Sequence, residues 1–240
     1  MERLRTEAAK WNIVLTDAQL TQFQVYYELL VDTNKVMNLT AITELEDVIR
    51  KHFLDSLALV KVYPQIMESD YVGRIIDVGT GAGFPGIPLK IAFPHLRILL
   101  LDSLNKRVGF LNTVIEEIGL CDISTVHCRA EDGARQKEYR EAFDLCVSRA
   151  VANLAVLSEY SIPFLKKGGY FIPYKSGNID EELEQAKGAV TVLGGEIEAV
   201  KRLELPGGIE RSFVFIRKKK ETPKAYPRKA GTASKKPLVG

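Results

Sequence analysis

The fold follows from residues 74–89, which read RIIDVGTGAGFPGIPL. The first five residues form a strand-like apolar run, and Gly79, Gly81 and Gly83 follow it. Glycine lets the backbone turn sharply and lets a ligand approach without a Cβ in the way. Pro85 suits the first turn of a helix, where its missing N–H costs nothing. The stretch therefore predicts a strand, a tight ligand-binding turn and a helix.

Two classes of ligand suit this turn. Residues 81–86 match the GxGxxG pattern of dinucleotide-binding enzymes, and Asp102 follows at the distance of a ribose-binding acid. Asp77, however, lies two residues before the first glycine, where a carboxylate can hold an ammonium directly or through water but would repel a pyrophosphate. Pro85 also removes one of the helix N–H donors that a pyrophosphate needs. The turn favours S-adenosylmethionine, with a nicotinamide-dependent oxidoreductase as the alternative.

From Gly73 onward, strand-like and helical stretches alternate, which predicts a parallel sheet with helices on both faces. The last two strand-like runs are joined by residues 205–209, a segment too short for a helix, so they predict a hairpin. Nicotinamide-binding domains normally stop at six parallel strands. We therefore predict an α/β, Rossmann-like class I methyltransferase fold, a seven-stranded, mostly parallel sheet with an antiparallel last strand. The predicted strands are residues 74–78, 97–101, 123–127, 143–148, 169–174, 196–204 and 211–217.

Three regions follow from the patterns along the chain. Residues 1–70 form a predicted helical extension, because apolar residues recur at three- and four-residue intervals and Thr16 and Asp17 can cap a helix start. Residues 71–218 form the predicted methyltransferase domain. Residues 219–240 form a basic tail that we expect to be flexible.

Charge is unevenly distributed. The net charge is +2, yet residues 217–240 hold nine Lys or Arg and one Glu, which leaves 24 basic and 30 acidic residues elsewhere. A basic tail on an acidic body predicts contact with a polyanion, and a solvated tail that aids solubility is the alternative. No apolar run approaches the roughly 20 residues that span a bilayer, and the N-terminus has no secretory pattern. We expect a cytoplasmic protein without a membrane contact.

The second and third strands supply candidate residues for the adenosyl group. Asp102 can accept hydrogen bonds from both ribose hydroxyls, or it can cap the next helix, a role that Ser103 or Asn105 could equally fill. We place Asp102 and Ser103 in the candidate cofactor site. Ala130 and Glu131 follow the third strand, where the adenine edge should lie, although Glu131 as a simple surface acid fits equally well.

The segment after the fourth strand bears on the substrate. It lacks the Asn/Asp-Pro-Pro-aromatic motif of enzymes that methylate amino groups, and Cys146 lies in an apolar run rather than after a proline. Guanine N7 has a lone pair and no proton, so its methylation needs alignment rather than a general base. Arg149 could contact guanine or phosphate, brace the cofactor loop or form a structural ion pair.

Two other polar sets are interpreted as non-catalytic. His52, Asp55 and Ser56 are spaced i, i+3 and i+4 on one helix, which cannot give the geometry of a hydrolase triad. We expect them to form a polar edge of a helix that covers the cofactor pocket. The three cysteines form no CxxC pair and have no metal-type spacing with histidine, so we expect no metal and no disulfide.

Five stretches of the chain carry specific motifs: residues 34–40 (NKVMNLT), 52–57 (HFLDSL), 77–89 (DVGTGAGFPGIPL), 148–150 (SRA) and 222–231 (TPKAYPRKAG). They resemble the motifs of one bacterial family, the glucose-inhibited division protein B family, also called ribosomal RNA small subunit methyltransferase G. The likeness covers nearly the whole chain, and the Phe-Pro-Gly-Ile-Pro continuation after the glycines is the most specific part.

The resemblance implies methylation at N7 of one guanine in the 530 loop of 16S ribosomal RNA. It also implies that Gly79, Phe84, Ala130, Glu131 and Arg149 line the S-adenosylmethionine pocket. The basic tail is consistent with such a partner, since Lys and Arg neutralise phosphates. A non-catalytic ribosome assembly factor is a further alternative, although the intact glycine turn speaks against it. We expect a monomer; free RNA, a partial particle and the whole small subunit remain open as substrates.

Overall fold

The computed structural model describes residues 1–238, and its centre is one seven-stranded sheet of order β3-β2-β1-β4-β5-β7-β6. Strands β1 to β5 pair in parallel, and β7 is antiparallel to both β5 and β6. The predicted Rossmann-like fold with its terminal hairpin is confirmed. The strands are β1 Arg74–Val78, β2 Arg97–Asp102, β3 Ile123–His127, β4 Phe143–Arg149, β5 Leu165–Ser176, β6 Gly195–Leu205 and β7 Ile209–Lys218.

Helices cover both faces of the sheet. Side chains of a strand alternate between faces, so Ile75 packs into one apolar core and Ile76 into the other. This explains why the adjacent Ile75 and Ile76 are both apolar although their side chains face opposite sides of the sheet. The α-helices are α1 Glu2–Ala9, α2 Asp17–Met37, α3 Leu45–Val48, α4 Asp55–Leu57, α5 Gly86–Ala92, α6 Asn105–Glu117, α7 Ala130–Gly133, α8 Leu154–Ser161, α9 Asp180–Val192 and α10 Thr232–Lys235.

The N-terminal helices share one core with the sheet. Helix α2 starts at the expected cap: Gln19 N donates to Thr16 Oγ1 at 3.2 Å, and Thr16 N donates to Gln19 Oε1 at 2.9 Å, which is a capping box. Its apolar stripe, which includes Phe23 and Tyr26, is buried against the sheet domain. The Tyr26 hydroxyl donates to the Ala82 carbonyl at 2.5 Å, so α2 directly supports the glycine turn.

The segment between α3 and α4 contains an unusual helical turn. A π-helical stretch, Ile49–Leu54, connects α3 to α4, and a 3₁₀ turn, Ala58–Lys61, ends the segment. Such π turns are rare and often lie at functional sites. Here the π turn carries His52, and Asp55 follows at the start of α4, beneath the glycine turn.

The basic tail differs from the flexible segment that its composition predicts. Residues 219–238 fold back along the sheet domain toward α8. Thr222 N donates to Glu141 Oε1 at 2.7 Å, and Arg228 pairs with the fully buried Glu159. The partners of the tail are thus acids far upstream, so local composition could not reveal the docking.

Candidate cofactor site

The glycine turn lies at the carboxyl end of β1 and is held to the neighbouring strand. The amides of Gly79 and Thr80 donate to the Leu101 carbonyl of β2 at 2.8 and 3.1 Å. Gly79 has a φ of +70°, and a Cβ there would lie 2.7 Å from Cγ2 of Val151. Gly83 has a φ of +103°, and a Cβ there would lie 2.5 Å from Ile87 Cδ1. Both backbone angle and space therefore require glycine at these two positions.

Asp77 is completely buried beneath this turn. Thr80 Oγ1 and Gly86 N donate to its Oδ2 at 2.7 and 2.9 Å, whereas its Oδ1 is buried and accepts no hydrogen bond from the protein. Burial raises the pKa of Asp77 to about 6, against the lowering effect of these two hydrogen bonds. An unpartnered carboxylate oxygen fits a donor that arrives with a ligand, as the ammonium of methionine would.

The hydrogen bond between Gly86 N and Asp77 Oδ2 argues against a nicotinamide dinucleotide at this turn. Gly86 is the first residue of α5, and its N–H is one of those that a pyrophosphate would use at a helix N-terminus. In this structure the Asp77 carboxylate already accepts that N–H. A phosphate placed there would meet a carboxylate and a proline, so the local geometry disfavours a dinucleotide.

Asp102, at the end of β2, ties two loops together. Gly81 N donates to its Oδ2 and Leu104 N to its Oδ1, each at 2.9 Å, and Arg107 Nη1 lies 3.6 Å from Oδ2. The contact with Leu104 matches the capping alternative, because Leu104 directly precedes α6. Each carboxylate oxygen has a second acceptor position. Ribose binding by Asp102 therefore stays a prediction.

A cavity of about 390 Å³ opens beside the turn at the carboxyl ends of β1, β2 and β3, within the size range of small-molecule sites. Four of the predicted cofactor residues line it, namely Gly79, Ser103, Ala130 and Glu131. The other six, Asp77, Gly81, Gly83, Phe84, Asp102 and Arg149, support the turn or pack behind it rather than line this cavity.

Glu131 is neither an exposed surface acid nor free in the cavity. It is 5% exposed, and its Oε1 accepts a hydrogen bond from Gly231 N of the tail at 2.8 Å. The sequence interpretation missed the other eight lining residues, which are Val78, Leu101, Leu104, Arg129, Val151, Tyr160, Gly231 and Ser234. The match of residues 222–231 to the family was the only signal that pointed to this part of the tail.

Phe84 and Arg149 belong to a packed cluster beside the cavity. The Phe84 ring contacts both the His52 ring, with 4.4 Å between the two centroids, and the Arg149 guanidinium, whose Cζ lies 4.9 Å from the Phe84 centroid. Arg149 Nη1 donates to Asp55 Oδ2 at 2.6 Å, and Arg211 Nε donates to Asp55 Oδ1 at 2.6 Å. Asp55 is fully buried. Among the options for Arg149, this geometry corresponds to the structural ion pair.

The hydrogen bonds of His52 define its tautomer. Arg149 Nη2 lies 3.3 Å from His52 Nδ1, and an arginine can only donate, so Nδ1 accepts. His52 Nε2 then carries the proton and donates to Thr40 Oγ1 at 2.8 Å. Burial and the neighbouring Arg149 lower the pKa of His52 to about 3, which keeps the ring neutral. Ser56 Oγ donates to the His52 backbone carbonyl instead of its ring, so the three residues form no triad.

The described residues contain no group of three or more His, Cys, Asp or Glu side chains arranged to hold a metal ion. The three cysteines are free, and Cys146 is buried within β4. Within residues 1–238, no helix combines the length and apolar character needed to cross a bilayer.

Comparison with solved structures identifies the class of the fold. A methyltransferase dependent on S-adenosylmethionine from Aquifex aeolicus has a TM-score of 0.52 and 16% identity, over 72% of this chain and 94% of that one. TYW2 of M. jannaschii, solved with AdoMet, has a TM-score of 0.52 and 14% identity, over 68% of this chain and 76% of that one. The strand order and the glycine turn after β1 thus define a class I methyltransferase fold.

Sequence comparison identifies the family. Residues 19–214 match the family GidB, described as rRNA small subunit methyltransferase G. Relatives named ribosomal RNA small subunit methyltransferase G include one from Lachnoclostridium phytofermentans, 56% identical over 94% of this chain and 92% of the relative. Another, from Desulfitobacterium hafniense, is 50% identical over 98% of this chain and 96% of the relative. This chain belongs to the rRNA small subunit methyltransferase G family, whose methyl donor is S-adenosylmethionine.

Proposed function

We propose that this chain transfers the methyl group of S-adenosylmethionine to N7 of a guanine in the 530 loop of 16S ribosomal RNA. The observation that carries the proposal is the cavity beside the glycine turn, in a chain of the rRNA small subunit methyltransferase G family. The names of its relatives support ribosomal RNA of the small subunit as the substrate class. The position of the guanine within that RNA rests on the family resemblance.

The residues around the cavity suggest how the cofactor would be held. Gly79 and Ser103 would border the ribose, and Ala130, with the backbone of Glu131, would border the adenine. Asp77 lies behind the turn and not in the cavity lining, so its unpartnered Oδ1 would accept from the methionine ammonium through a bridging water. Asp102 would accept from ribose hydroxyls with the acceptor positions that its two backbone contacts leave free.

The chemistry requires alignment more than proton transfer. When bound, S-adenosylmethionine supplies an electrophilic methyl group on a positively charged sulfur. Guanine N7 attacks with its lone pair and loses no proton, so the protein needs no base for this step. Two side chains of β4 are poorly suited to act as a base or nucleophile. Ser148 Oγ donates a hydrogen bond to the Val78 carbonyl at 2.7 Å, and burial raises the pKa of the Cys146 thiol. The task of the protein is to hold the methyl group and N7 in line.

The RNA contact is proposed for the exposed face of the tail. Lys224, Lys235 and Lys236 are exposed there and form no ion pair within residues 1–238. Their charges suit phosphate oxygens, and such contacts would make RNA binding fall steeply with salt. A monomer acting in the cytoplasm on the small ribosomal subunit or its RNA is part of the same proposal.

The direct test is transfer of labelled methyl groups to unmodified 30S subunits and to free 16S RNA, followed by identification of the modified nucleotide. We expect N7-methylguanosine in the 530 loop, and no label with the Gly79→Val variant. Label on cytosine or on an adenine amino group would refute the N7 assignment. RNA binding without transfer to either substrate would support the non-catalytic alternative.

A ligand titration separates this proposal from an oxidoreductase. A ligand that binds only the folded state raises the unfolding temperature by mass action. We expect S-adenosylhomocysteine to stabilise the protein and NADH to have no effect. The reverse result would refute the methyltransferase proposal.

A further inference from the structure

The last residues of the described chain follow a fixed path across the mouth of the cofactor cavity. After β7, the Thr222 side chain is buried and its Oγ1 donates to the Leu193 carbonyl at 2.7 Å. Arg140 Nη2 donates to the Thr222 carbonyl at 2.7 Å, and Arg140 Nη1 donates to the Tyr226 carbonyl at 2.9 Å. Backbone carbonyls of the tail are thus fixed by an arginine of the sheet domain.

A buried ion pair anchors the middle of this segment. The ion pair is bidentate: Arg228 Nη2 donates to Glu159 Oε2 at 2.6 Å, and Arg228 Nε donates to Glu159 Oε1 at 3.0 Å. The backbone N of Arg228 donates to the same Oε1 at 2.7 Å. Glu159 lies on α8 and is fully buried, so it depends on Arg228 for compensation of its charge. Removing the arginine would leave a buried carboxylate without its partner.

The anchored segment then reaches the cavity itself. Gly231 N donates to Glu131 Oε1, with 2.8 Å between the two atoms, and α10 starts immediately after this glycine. Gly231 and Ser234 line the cavity together with Gly79, Ala130 and Tyr160. The tail therefore supplies part of the cavity lining, beside the residues that follow the strand ends.

We propose that residues 226–235 form the outer wall of the S-adenosylmethionine site and contribute to its affinity. Glu131 is a positioning residue in this arrangement, because its carboxylate holds Gly231 rather than the adenine. The ion pair between Arg228 and Glu159 keeps the wall in place. The inference rests on the proposed function only in taking the cavity as the cofactor site.

The first test breaks the anchor and measures binding of S-adenosylhomocysteine by isothermal titration calorimetry. Loss of the wall in Arg228→Gln should weaken binding about tenfold or more, since the cavity then opens on one side. The matched control is Arg202→Gln, which breaks an ion pair with Asp180 whose two side chains are each more than half exposed. We expect the control to bind within about twofold of the wild type. Equal affinity of the Arg228→Gln variant and the wild type would overturn the proposal.

A second variant acts without breaking the buried pair. Ser234 is exposed and lines the cavity, so Ser234→Trp should obstruct the mouth while leaving the unfolding temperature unchanged. Ala225→Trp, at an exposed tail position away from the cavity, is its control. We expect weaker binding of S-adenosylhomocysteine only for Ser234→Trp, and unchanged binding by that variant would refute the wall.

The two proposals fail in distinguishable ways. If the wild-type protein does not bind S-adenosylhomocysteine, the cofactor assignment fails and the wall with it. If the wild type binds and both tail variants bind equally well, only the wall is refuted. Limited trypsin digestion adds a readout independent of affinity: bound S-adenosylhomocysteine should slow cleavage after Lys224 and Lys229, and unchanged cleavage would contradict a wall that contacts the ligand.

Discussion

Asp55→Asn should strongly destabilise the protein. The carboxylate is fully buried and accepts from Arg149 at 2.6 Å and from Arg211 at 2.6 and 3.1 Å. The substitution keeps the size of the side chain but removes the charge that both guanidinium groups face. Their side chains are only 10% and 18% exposed, so water cannot replace the lost partner.

The magnitude follows from this burial. Removing one partner of a buried ion pair costs about 3–5 kcal/mol, because an uncompensated charge stays in the interior. An asparagine oxygen can still accept one hydrogen bond, which places the expected loss near the lower end, at about 3 kcal/mol. The free energy of unfolding of a typical domain is about 5–15 kcal/mol, so the loss would be a large part of the total stability.

Urea unfolding followed by circular dichroism measures this loss. With a slope of about 2–3 kcal/mol per molar urea, the midpoint should fall by about 1 M. Asp180→Asn is the control, because its ion pair with Arg202 is exposed and should contribute about 0.5 kcal/mol or less. A loss below about 1 kcal/mol in Asp55→Asn would refute the view that these buried ion pairs stabilise the folded protein.

Three further predictions concern the turn and its buried titratable groups. Gly79→Val should weaken S-adenosylhomocysteine binding more than tenfold, because a Cβ there meets Val151 at 2.7 Å. The control, Gly168→Val, has an equally unfavourable φ but lies in open space, so it should lower only the stability of the protein. Equilibrium dialysis measures the binding, and thermal unfolding measures the stability. The pKa of Asp77 is raised to about 6, so the folded state holds a proton that the unfolded state has lost, and this group makes stability fall as pH rises from about 4 to about 6. Urea unfolding of Asp77→Asn across that range should lack this slope of up to about 1.4 kcal/mol per pH unit, and a profile parallel to the wild type would refute the raised pKa. The pKa of His52 is lowered to about 3, so below about pH 6.5 the unfolded state binds a proton that the folded state does not. The stability from this group is therefore lost as the pH falls from about 6.5 toward 3. In His52→Gln the free energy of unfolding should fall less steeply with acid, and an unchanged dependence would contradict a neutral buried ring.

The strands and the turn were predictable because their causes are local. The run from Arg74 to Val78 and the glycines after it needed no distant partner to be recognised. The hairpin followed from a connection of five residues, and the helix start followed from the capping preference of the adjacent residues Thr16 and Asp17. In each case the physical constraint acts between residues that are close in sequence.

The cavity wall and the buried cluster were not predictable in the same way. Glu131 suited an adenine contact or a surface position, and its actual partner, Gly231, is 100 residues away. Arg149 suited three roles, and only the arrangement of Asp55 beneath it favours the ion pair. The tail was expected to be flexible because its composition gives no sign of Glu159, which is 69 residues upstream of Arg228. Long-range pairing between single polar residues leaves no periodic pattern in a sequence.

The order of the last two strands affects how the protein forms during synthesis. β6 pairs only with β7, and β7 also pairs with β5, so β6 leaves the ribosome before any strand can receive it. Until β7 inserts between them, β5 presents an open row of backbone donors and acceptors that invites pairing with other chains. A chain interrupted between Leu205 and Ile209 would carry every predicted cofactor residue up to Arg149 and still expose this edge. We therefore expect such a fragment to aggregate.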